Sequence, residues 1–230
     1  MKDAGRILAV IPARAGSRRL PHKNTAEISG QPMVAWTIRA ALNARLAGHI
    51  LVTSDDPEVL SIARSFDGVR AVVRPTELAT DQATTTDVLK HAIDHEIQEG
   101  RGPDTLVLLQ PTSPLRTGED IESALGRYCS GTGESVVSVS PVEHPLAWCG
   151  KVADTGEFRG VDFWSARRSQ DYEPDYRLNG AVYVADVSDF LASGSLFTPR
   201  VLASIMPRER SIDVDEALDL KICQSLMEQS

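Results

Sequence analysis

Short apolar runs alternate with longer amphipathic segments along most of this chain, and this alternation limits the possible folds more than any other feature. The apolar runs are rich in β-branched residues, which favours strands, with predicted bounds of 6–11, 49–53, 70–73, 105–109, 135–139 and 181–185. The amphipathic segments space their apolar residues as helices do, and we predict helices over 33–46, 57–66, 86–98, 118–128 and 214–227. This order of elements predicts an α/β fold with a mainly parallel sheet and helices on both faces.

Three polar loops directly follow predicted strands, at 12–24, 54–56 and 110–116. In a parallel sheet the carboxyl ends of the strands lie along one edge, and ligands bind beyond that edge. We therefore expect the three loops to contribute to one site.

The first of these loops crowds cations beside a turn of small residues. The cations are Arg14, Arg18, Arg19 and Lys23, and the turn contains Gly16 and Ser17. Backbone N–H groups in such a turn bind anions, and Arg and Lys add charge-assisted bonds to phosphate oxygens. Because the whole chain has a net charge of −8, this local excess of positive charge favours a phosphate site over the alternative of a solvated basic loop.

Two carboxylates, Asp213 and Asp215, come at the start of the predicted final helix. Residues two apart in an extended segment point the same way, and converging carboxylates suit Mg²⁺ when its other ligands are water and phosphate oxygens. Asp is also a favoured residue at helix N-termini, so capping is the alternative role.

Gln110 begins a turn that contains Pro111 and Pro114. Two prolines restrict the backbone and could aim the Gln amide into the site. A plain strand-to-helix turn explains the same pattern equally well.

The composition excludes several classes of function. Apolar residues make up 42% of the chain, but no apolar run approaches the ~20 residues that span a bilayer. The acidic balance disfavours nucleic-acid binding, and no G-x-x-x-x-G-K-S/T phosphate loop is present. Three widely spaced cysteines indicate free thiols, so we expect a cytoplasmic protein with neither a membrane nor a nucleic-acid partner.

Residues 141–180 interrupt the alternation with aromatic residues, prolines and charges. A segment this short has little core of its own, so Trp148, Phe163 and Trp164 are slightly more consistent with a surface that faces a partner than with ordinary core. We interpret 1–230 as one domain, with 141–180 as an excursion from it.

A series of motifs extends over nearly the whole chain. It comprises Pro12-Ala13-Arg14-Ala15-Gly16-Ser17, Leu20-Pro21, Lys23-Asn24, Ser54-Asp55, Arg74-Pro75 with Glu77-Leu78-Ala79 and Asp81, 109–116, Asn179-Gly180-Ala181 with Tyr183, and Asp213-Val214-Asp215. Together these motifs resemble the CMP-sialic acid synthetase family of cytidylyltransferases. The resemblance implies a Rossmann-like nucleotidyltransferase sheet, an inserted dimerisation element at 141–180 and a homodimer.

The resemblance also implies a reaction, in which CMP passes from CTP to the anomeric hydroxyl of an acidic 2-keto-3-deoxy sugar and pyrophosphate is released. Asp213 and Asp215 match the pair that holds Mg²⁺. The residues that match the triphosphate region are Ala13, Arg14, Ser17 and Lys23, of which Arg14 and Lys23 would stabilise the departing pyrophosphate. The residues that match contacts to the nucleoside are Asn24, Arg74 at the cytosine, Ala83 through its backbone, and Thr85 at the ribose.

On the sugar side, Gln110 and Asn179 match positions near the acidic sugar. Arg167 or Arg168 matches an arginine that reaches the cleft of the neighbouring subunit, where a planar guanidinium suits the sugar carboxylate. The sequence does not distinguish between these two arginines.

The chain departs from the family at two places, and two alternative functions stay open. Ala15 stands where relatives often have glycine, so its φ is expected to be negative, and Arg18-Arg19 stands where they often have Lys-Gly. The alternative enzymatic function is activation of an eight-carbon acid such as Kdo, or activation of another sugar with another nucleotide. The alternative without catalysis is a module that only binds nucleotide sugars. The Asp pair together with Lys23 favours catalysis, and the Leu109-Gln110-Pro111 turn and the Asp pair disfavour the other sugar acids. Thr84-Thr85-Thr86 resembles sialic or legionaminic acid activators more than pseudaminic acid ones.

Overall fold

A computed structural model of the chain describes residues 3–17, 19–131, 135–161 and 168–228. Its strands are β1 Ile7–Pro12, β2 Glu27–Ile28, β3 Gln31–Pro32, β4 Ile50–Ser54, β5 Val69–Val73, β6 Thr105–Leu108, β7 Ser135–Pro141, β8 Lys151–Val152, β9 Phe158–Arg159, β10 Tyr176–Asp186 and β11 Val201–Ile205. Its α-helices are α1 Met33–Asn43, α2 Pro57–Arg64, α3 Thr85–Gln98, α4 Gly118–Ser130, α5 Val187–Ser193 and α6 Ala217–Met227.

The central sheet has seven strands in the order β11–β7–β10–β6–β1–β4–β5. Neighbouring strands are parallel from β6 through β1 and β4 to β5, and β7 is parallel to β11. β10 runs antiparallel between β6 and β7. The mainly parallel sheet is therefore confirmed, with one reversed strand.

Both faces of the sheet are covered by helices, as the alternation predicts. Along β1, Ala9 and Ile11 belong to a core shared with residues of α1, α2 and α4. Leu8 and Val10 point the other way, into a core shared with α3 and α5. Because successive side chains on a strand alternate between faces, a strand that is apolar throughout is buried on both sides. The loop that follows β1 therefore starts from a firmly held strand.

The helices that border the loops begin at well-capped positions. Thr84 is the N-cap of α3 and Thr117 is the N-cap of α4, and each forms a reciprocal capping box with the aspartate three residues later. The first turns of these helices are consequently fixed next to the loops that precede them.

The final helix begins later than predicted, at Ala217 instead of 214. Its N-cap is Glu216, in a capping box with Asp219. Neither Asp213 nor Asp215 caps this helix, so the alternative role considered for the pair is not observed; the capping side chains lie just beyond them.

Two elements near the carboxyl end were not predicted as such. α5 has seven residues between the caps Asp186 and Gly194, too few for a clear helical period. β11 lies at the edge of the sheet, and its Val-Leu-Ala-Ser-Ile sequence has a mostly exposed or half-exposed burial pattern. The predicted strand 181–185 forms the second half of the longer β10.

Within the described part of the chain, none of the helices combines the length and apolar character needed to cross a bilayer.

Candidate active site

A cleft of about 510 Å³ opens at the edge of the sheet where the parallel strands have their carboxyl ends. It is lined by Pro12, Arg14, Gly16, Ser17, Arg19, Lys23, Asn24, Arg74, Asp81, Ala83, Thr84, Thr85, Val88, Gln110, Pro111, Thr112, Asp213 and Asp215. The loops 12–24 and 110–116 thus meet as the topology predicts. The segments that precede α3 and α6 complete the lining.

The basic loop is held against its neighbours by hydrogen bonds along its length. The N–H of Ala13 donates to the carbonyl of Thr53 at 3.0 Å, and the N–H of Ala15 donates to Oδ1 of Asp55 at 2.9 Å. Nδ2 of Asn24 donates to the carbonyl of Arg14 at 2.8 Å. Loop 54–56 therefore acts here as a support, and Ala13, fully buried, stands behind the cleft wall instead of lining it.

Two small residues, Ala15 and Gly16, form the turn of this loop. Ala15 has a negative φ, as its methyl group requires. A methyl group at Gly16 would meet nothing within 4 Å, so this residue faces open space. Its lack of a side chain leaves room beside the cations for a ligand.

The cations of the loop lie against carboxylates from other segments. Nη1 of Arg14 is 2.8 Å from Oδ1 of Asp81, which precedes α3. Asp215 contacts two cations, with Oδ1 at 3.0 Å from Nζ of Lys23 and Oδ2 at 2.9 Å from Nη1 of Arg19. Nζ of Lys23 also donates to the carbonyl of Val214 at 2.9 Å. The cleft therefore contains both cationic and anionic side chains. A bound ligand could contact the cations through phosphate groups and the carboxylates through a metal ion.

Asp213 and Asp215 face the cleft from either side of a buried residue. Val214 is fully buried in a small core with Ile28 and Met33, and its N–H donates to the carbonyl of Thr112 at 2.7 Å. The alternation expected for an extended segment thus presents both aspartates on the same side.

The environments of these two carboxyls move their pKa values in opposite directions. Loss of hydration raises the pKa of Asp213, and the charge of Asp215 adds to this, although a hydrogen bond with Thr112 opposes it. The hydrogen bond from Lys23 lowers the pKa of Asp215. Such a difference is typical of sites that bind or process charged ligands.

Arg74 forms the inner wall of the cleft. Its side chain is 5% exposed, and its Nη2 donates to the carbonyl of Thr53 at 2.9 Å. Burial lowers the pKa of its guanidinium, although the nearby negative charge of Asp55 acts to raise it. Ala83 and Thr85 lie on the lining beside it, where α3 begins. This wall combines one deeply placed cation with backbone and hydroxyl groups.

Gln110 and Asn179, both predicted to approach the sugar, occupy different positions. Gln110 lines the cleft. Asn179 is 2% exposed and lies outside the lining. Its Oδ1 accepts a bond of 2.6 Å from Ser138, and its Nδ2 donates to Oγ of Ser211 at 2.9 Å. Asn179 thus ties β10 to β7 and to the segment that leads to Asp213.

A sequence profile for the family described as Cytidylyltransferase matches residues 8–144. This span is more than half of the chain and includes the basic loop, the wall around Arg74, and Gln110. The chain belongs to the cytidylyltransferase family.

Curated relatives agree with this assignment. A CMP-N,N'-diacetyllegionaminic acid synthase of Legionella pneumophila is 37% identical over 236 residues, covering 97% of each chain. An N-acylneuraminate cytidylyltransferase of Escherichia coli is 32% identical over 97% of this chain, which spans 52% of the length of that relative. A pseudaminic acid cytidylyltransferase of Campylobacter jejuni is 26% identical over 95% of each chain.

Solved structures show the same cytidylyltransferase fold. A CMP:2-keto-3-deoxy-manno-octonic acid synthetase complexed with CTP superposes with a TM-score of 0.67 at 20% identity, over 97% of this chain and 99% of the other. A 4-diphosphocytidyl-2C-methyl-D-erythritol synthase superposes with a TM-score of 0.68 at 12% identity, over 97% and 98%. At these identities the likeness concerns the fold.

Of the two arginines considered for a neighbouring cleft, Arg168 is not part of the lining of this one. Arg168 is exposed, and its N–H donates to Oδ2 of Asp171 at 3.2 Å. Arg167 lies outside the described residues, as do Phe163 and Trp164. Trp148 is exposed, as expected for a surface that faces a partner.

Several cleft residues received no individual role from the sequence, among them Arg19, Asp81 and Thr112. Asp81 ends one of the family motifs and Arg19 was among the crowded cations, so both were visible in the sequence. Their partners, Arg14 and Asp215, lie 67 and 196 residues away, a distance that no local pattern spans. Thr112 gave no signal beyond its place in the proline-rich turn.

Proposed function

We propose that this cytidylyltransferase transfers CMP from CTP to the anomeric hydroxyl of an acidic 2-keto-3-deoxy sugar of the legionaminic or sialic acid type. The observation that carries the proposal is a single cleft in which Lys23 and Arg19 face Asp215 at 3.0 and 2.9 Å, with Arg74 and Gln110 in the same lining. The Legionella relative, a CMP-N,N'-diacetyllegionaminic acid synthase that matches over 97% of each chain, supports this class of sugar.

In this reaction the anomeric oxygen forms a bond to the α-phosphorus of CTP. The bond between that phosphorus and the bridging oxygen breaks, pyrophosphate leaves with the electron pair, and the hydroxyl proton passes to solvent. Such chemistry depends on positioning and on neutralising charge, and it needs no covalent enzyme intermediate. Arg14 and Lys23 would stabilise the charge that develops on pyrophosphate.

The nucleotide fits along the lining from the basic loop to the start of α3. We assign the triphosphate to Arg14, Ser17 and Lys23, with the backbone at Ala13 supporting the loop. Arg74 and the backbone at Ala83 would contact the cytosine. Thr85 would contact the ribose. Asn24, which lines the cleft and holds the carbonyl of Arg14, would also contact the nucleotide.

Mg²⁺ fits Asp213 and Asp215 by the chemistry of its ligands. Both residues offer carboxylate oxygens to the cleft, the ligand type that this cation prefers. In the described parts of the chain no group of three or more His, Cys, Asp or Glu side chains is placed to hold a metal, so water and phosphate oxygens would complete the shell. When bound, the ion would offset phosphate charge and lower the pKa of the attacking hydroxyl.

The sugar would be bound by Gln110 together with an arginine from a second copy of the chain. Several large apolar side chains of the excursion 141–180 are exposed, namely Leu146, Trp148, Val152, Phe158, Tyr176 and Leu178. Exposed apolar side chains concentrated in one segment favour an interface, and a two-fold homodimer is the commonest way to cover one. We propose such a dimer, in which Arg167 or Arg168 reaches the cleft of the partner.

We also propose a cytoplasmic location. Cys129, Cys149 and Cys223 are all unpaired, which suits a reducing compartment. Cys149 is exposed as a free thiol, so an oxidising environment would leave it open to modification.

The decisive experiment measures pyrophosphate release from each of the four nucleoside triphosphates against a panel of sugar acids that includes legionaminic, sialic, pseudaminic and Kdo acids. We expect turnover with CTP and Mg²⁺ and a preference for legionaminic or sialic acid. A preference for Kdo would reject legionaminic and sialic acids as the substrate class. Binding of CMP-sugars without turnover would favour the non-catalytic module.

A further inference from the structure

We propose that Arg116 is a positioning residue that fixes Gln110 at the sugar end of the cleft, although Arg116 itself does not line the cleft. This inference rests on the proposed function for its substrate. Its geometric content, the placement of Gln110 by Arg116, can be tested separately.

One amino group of Arg116 joins two segments of the site. The residue is 3% exposed, and its Nη1 donates to the carbonyl of Gln110 at 3.1 Å and to the carbonyl of Ala181 at 2.8 Å. Nη1 has two hydrogens, so it can make both bonds at once. The turn after β6 is thereby linked to β10, the strand beside it.

The rest of the guanidinium is unusually poor in partners for a buried charge. Nε and Nη2 find no hydrogen-bond acceptor among the described residues. Burial lowers the pKa of Arg116 to about 9, a change that the charge of Asp120 only partly offsets. The carboxylate of Asp120 instead accepts two bonds of 2.9 Å from Arg210.

A half-satisfied buried cation is costly, and an apolar side chain of similar length would avoid that cost. The two bonds from Nη1 to backbone carbonyls are therefore what Arg116 contributes at this place.

Gln110 is constrained a second time, at the end of its side chain. Gly180, next to Ala181 in β10, has a φ of +76°, and a methyl group there would lie 2.6 Å from Oε1 of Gln110. A side chain at Gly180 would therefore displace the Gln110 amide, besides being strained at this φ. Arg116 fixes the carbonyl of Gln110 while Gly180 limits its amide, so together they set where the amide meets a substrate.

The test compares Arg116→Met, Arg116→Lys, Gln110→Ala and the double variant Arg116→Met with Gln110→Ala. For Arg116→Met we expect a roughly 10- to 100-fold increase in KM for the sugar acid with little change in CTP affinity, because one binding contact is misplaced. Arg116→Lys should recover part of this loss. The double variant should be little worse than Gln110→Ala alone, since residues that act through one another are not additive.

Arg70→Met is the matched control for general loss of stability. Arg70 also donates to a backbone carbonyl, that of Gly48, and it pairs with the buried Glu96 at 2.9 Å, but it lies outside the cleft lining. This variant should lower Tm and leave the KM for the sugar acid unchanged. Additive effects in the double variant, or equal changes in CTP and sugar affinity, would overturn the proposal.

A readout without substrate separates this inference from the proposed function. The side-chain amide signal of Gln110 in a ¹H–¹⁵N spectrum is identified by its absence from Gln110→Ala. It should shift in Arg116→Lys and in Gly180→Ala but not in Arg70→Met. If the wild-type chain turned over no sugar acid, the proposed function would fail while this amide still reported on Arg116. An unmoved signal in Arg116→Lys would reject the positioning role, whatever Gly180→Ala shows.

Discussion

Lys23 and Asp215 join two walls of the cleft through an ion pair, with Nζ of the lysine 3.0 Å from Oδ1 of the carboxylate. The lysine side chain is only 13% exposed, and it also donates to the carbonyl of Val214. The loop after β1 and the segment before α6 are therefore connected at the point where we place the phosphates. Substitutions at either residue should act on ligand binding more than on folding.

Asp215→Asn should reduce turnover by about 10²–10³, the scale of removing one major electrostatic stabiliser. The fold should be retained because the caps of α6 are Glu216 and Asp219. Initial rates across a Mg²⁺ titration check this, with Asp94→Asn on the exposed face of α3 as the matched control. Near-normal rates at all Mg²⁺ concentrations would show that Asp215 serves only as a partner for Lys23 and Arg19.

CTP should stabilise the chain more than UTP or ATP does, because Arg74 is buried in the wall where we place the base. At a concentration of about 100 Kd a ligand adds roughly 2.7 kcal/mol, which corresponds to about 5–10 °C in Tm for a domain of this size. Differential scanning fluorimetry with Mg²⁺ measures the shift, and Arg74→Met should abolish the preference. Equal shifts with all three nucleotides would exclude the cytidine assignment.

The chain should sediment as a dimer, because the excursion exposes apolar side chains that a monomer would leave in water. Val152→Glu, at a side chain that is 70% exposed, should shift the species towards monomer in analytical ultracentrifugation. The matched control is Ile97→Glu, at an exposed apolar residue of α3 outside the excursion. A monomer with full activity would contradict the proposed dimer.

A shared site should allow complementation between inactive chains. One of Arg167→Ala and Arg168→Ala should weaken sugar binding while sparing CTP binding. Mixing that variant with Asp215→Asn should restore part of the activity, because one hybrid cleft receives both intact contributions. Mixed dimers without recovered activity would rule out an arginine supplied by the partner.

Glu96 should make stability depend on pH through its ion pairs with Arg70 and Arg101. Burial would raise the pKa of this carboxyl, but the two arginines outweigh burial and lower it. Its contribution is therefore present above the ordinary Glu value of about 4.3 and is lost as the pH falls through the lower, folded-state value. Glu96→Gln should cost roughly 2–3 kcal/mol at pH 7 and less below pH 4, as measured by urea unfolding. Parallel pH profiles of the two proteins would contradict this.

The sequence alone was sufficient to predict the helices and strands that have strong hydrophobic periodicity. β1, β4, β6, α1 and α3 lie close to their predicted bounds because apolar runs and stripes determine what must be buried. The same reasoning could not locate β11, whose exposed edge position leaves little pattern. The reversed direction of β10 could not be predicted from local patterns either, because strand direction depends on long-range pairing.

The site was predictable in its residue types but not in its internal contacts. The crowded cations and the Asp213–Asp215 pair indicated charged ligands, and the structure brings them into one cleft. Asn179 and Arg116 stood in recognisable motifs, yet their buried contacts to Ser211 and Ala181 depend on the folded chain. A motif shows that a residue matters for a family, whereas the fold shows whether it touches the ligand or holds the residue that does.

The reversed strand β10 has a consequence for how such enzymes diversify. The excursion leaves the sheet at the end of β7 and re-enters it at the start of β10, where Pro141 and Tyr176 are paired neighbours. A loop whose two ends already lie side by side can lengthen, shorten or be exchanged at little entropic cost and without disturbing the strands that carry the nucleotide loop. Under the proposed dimer, in which this segment supplies an arginine to the sugar, one contribution to acceptor specificity can therefore change by replacement of the segment while the nucleotide loop is inherited unchanged.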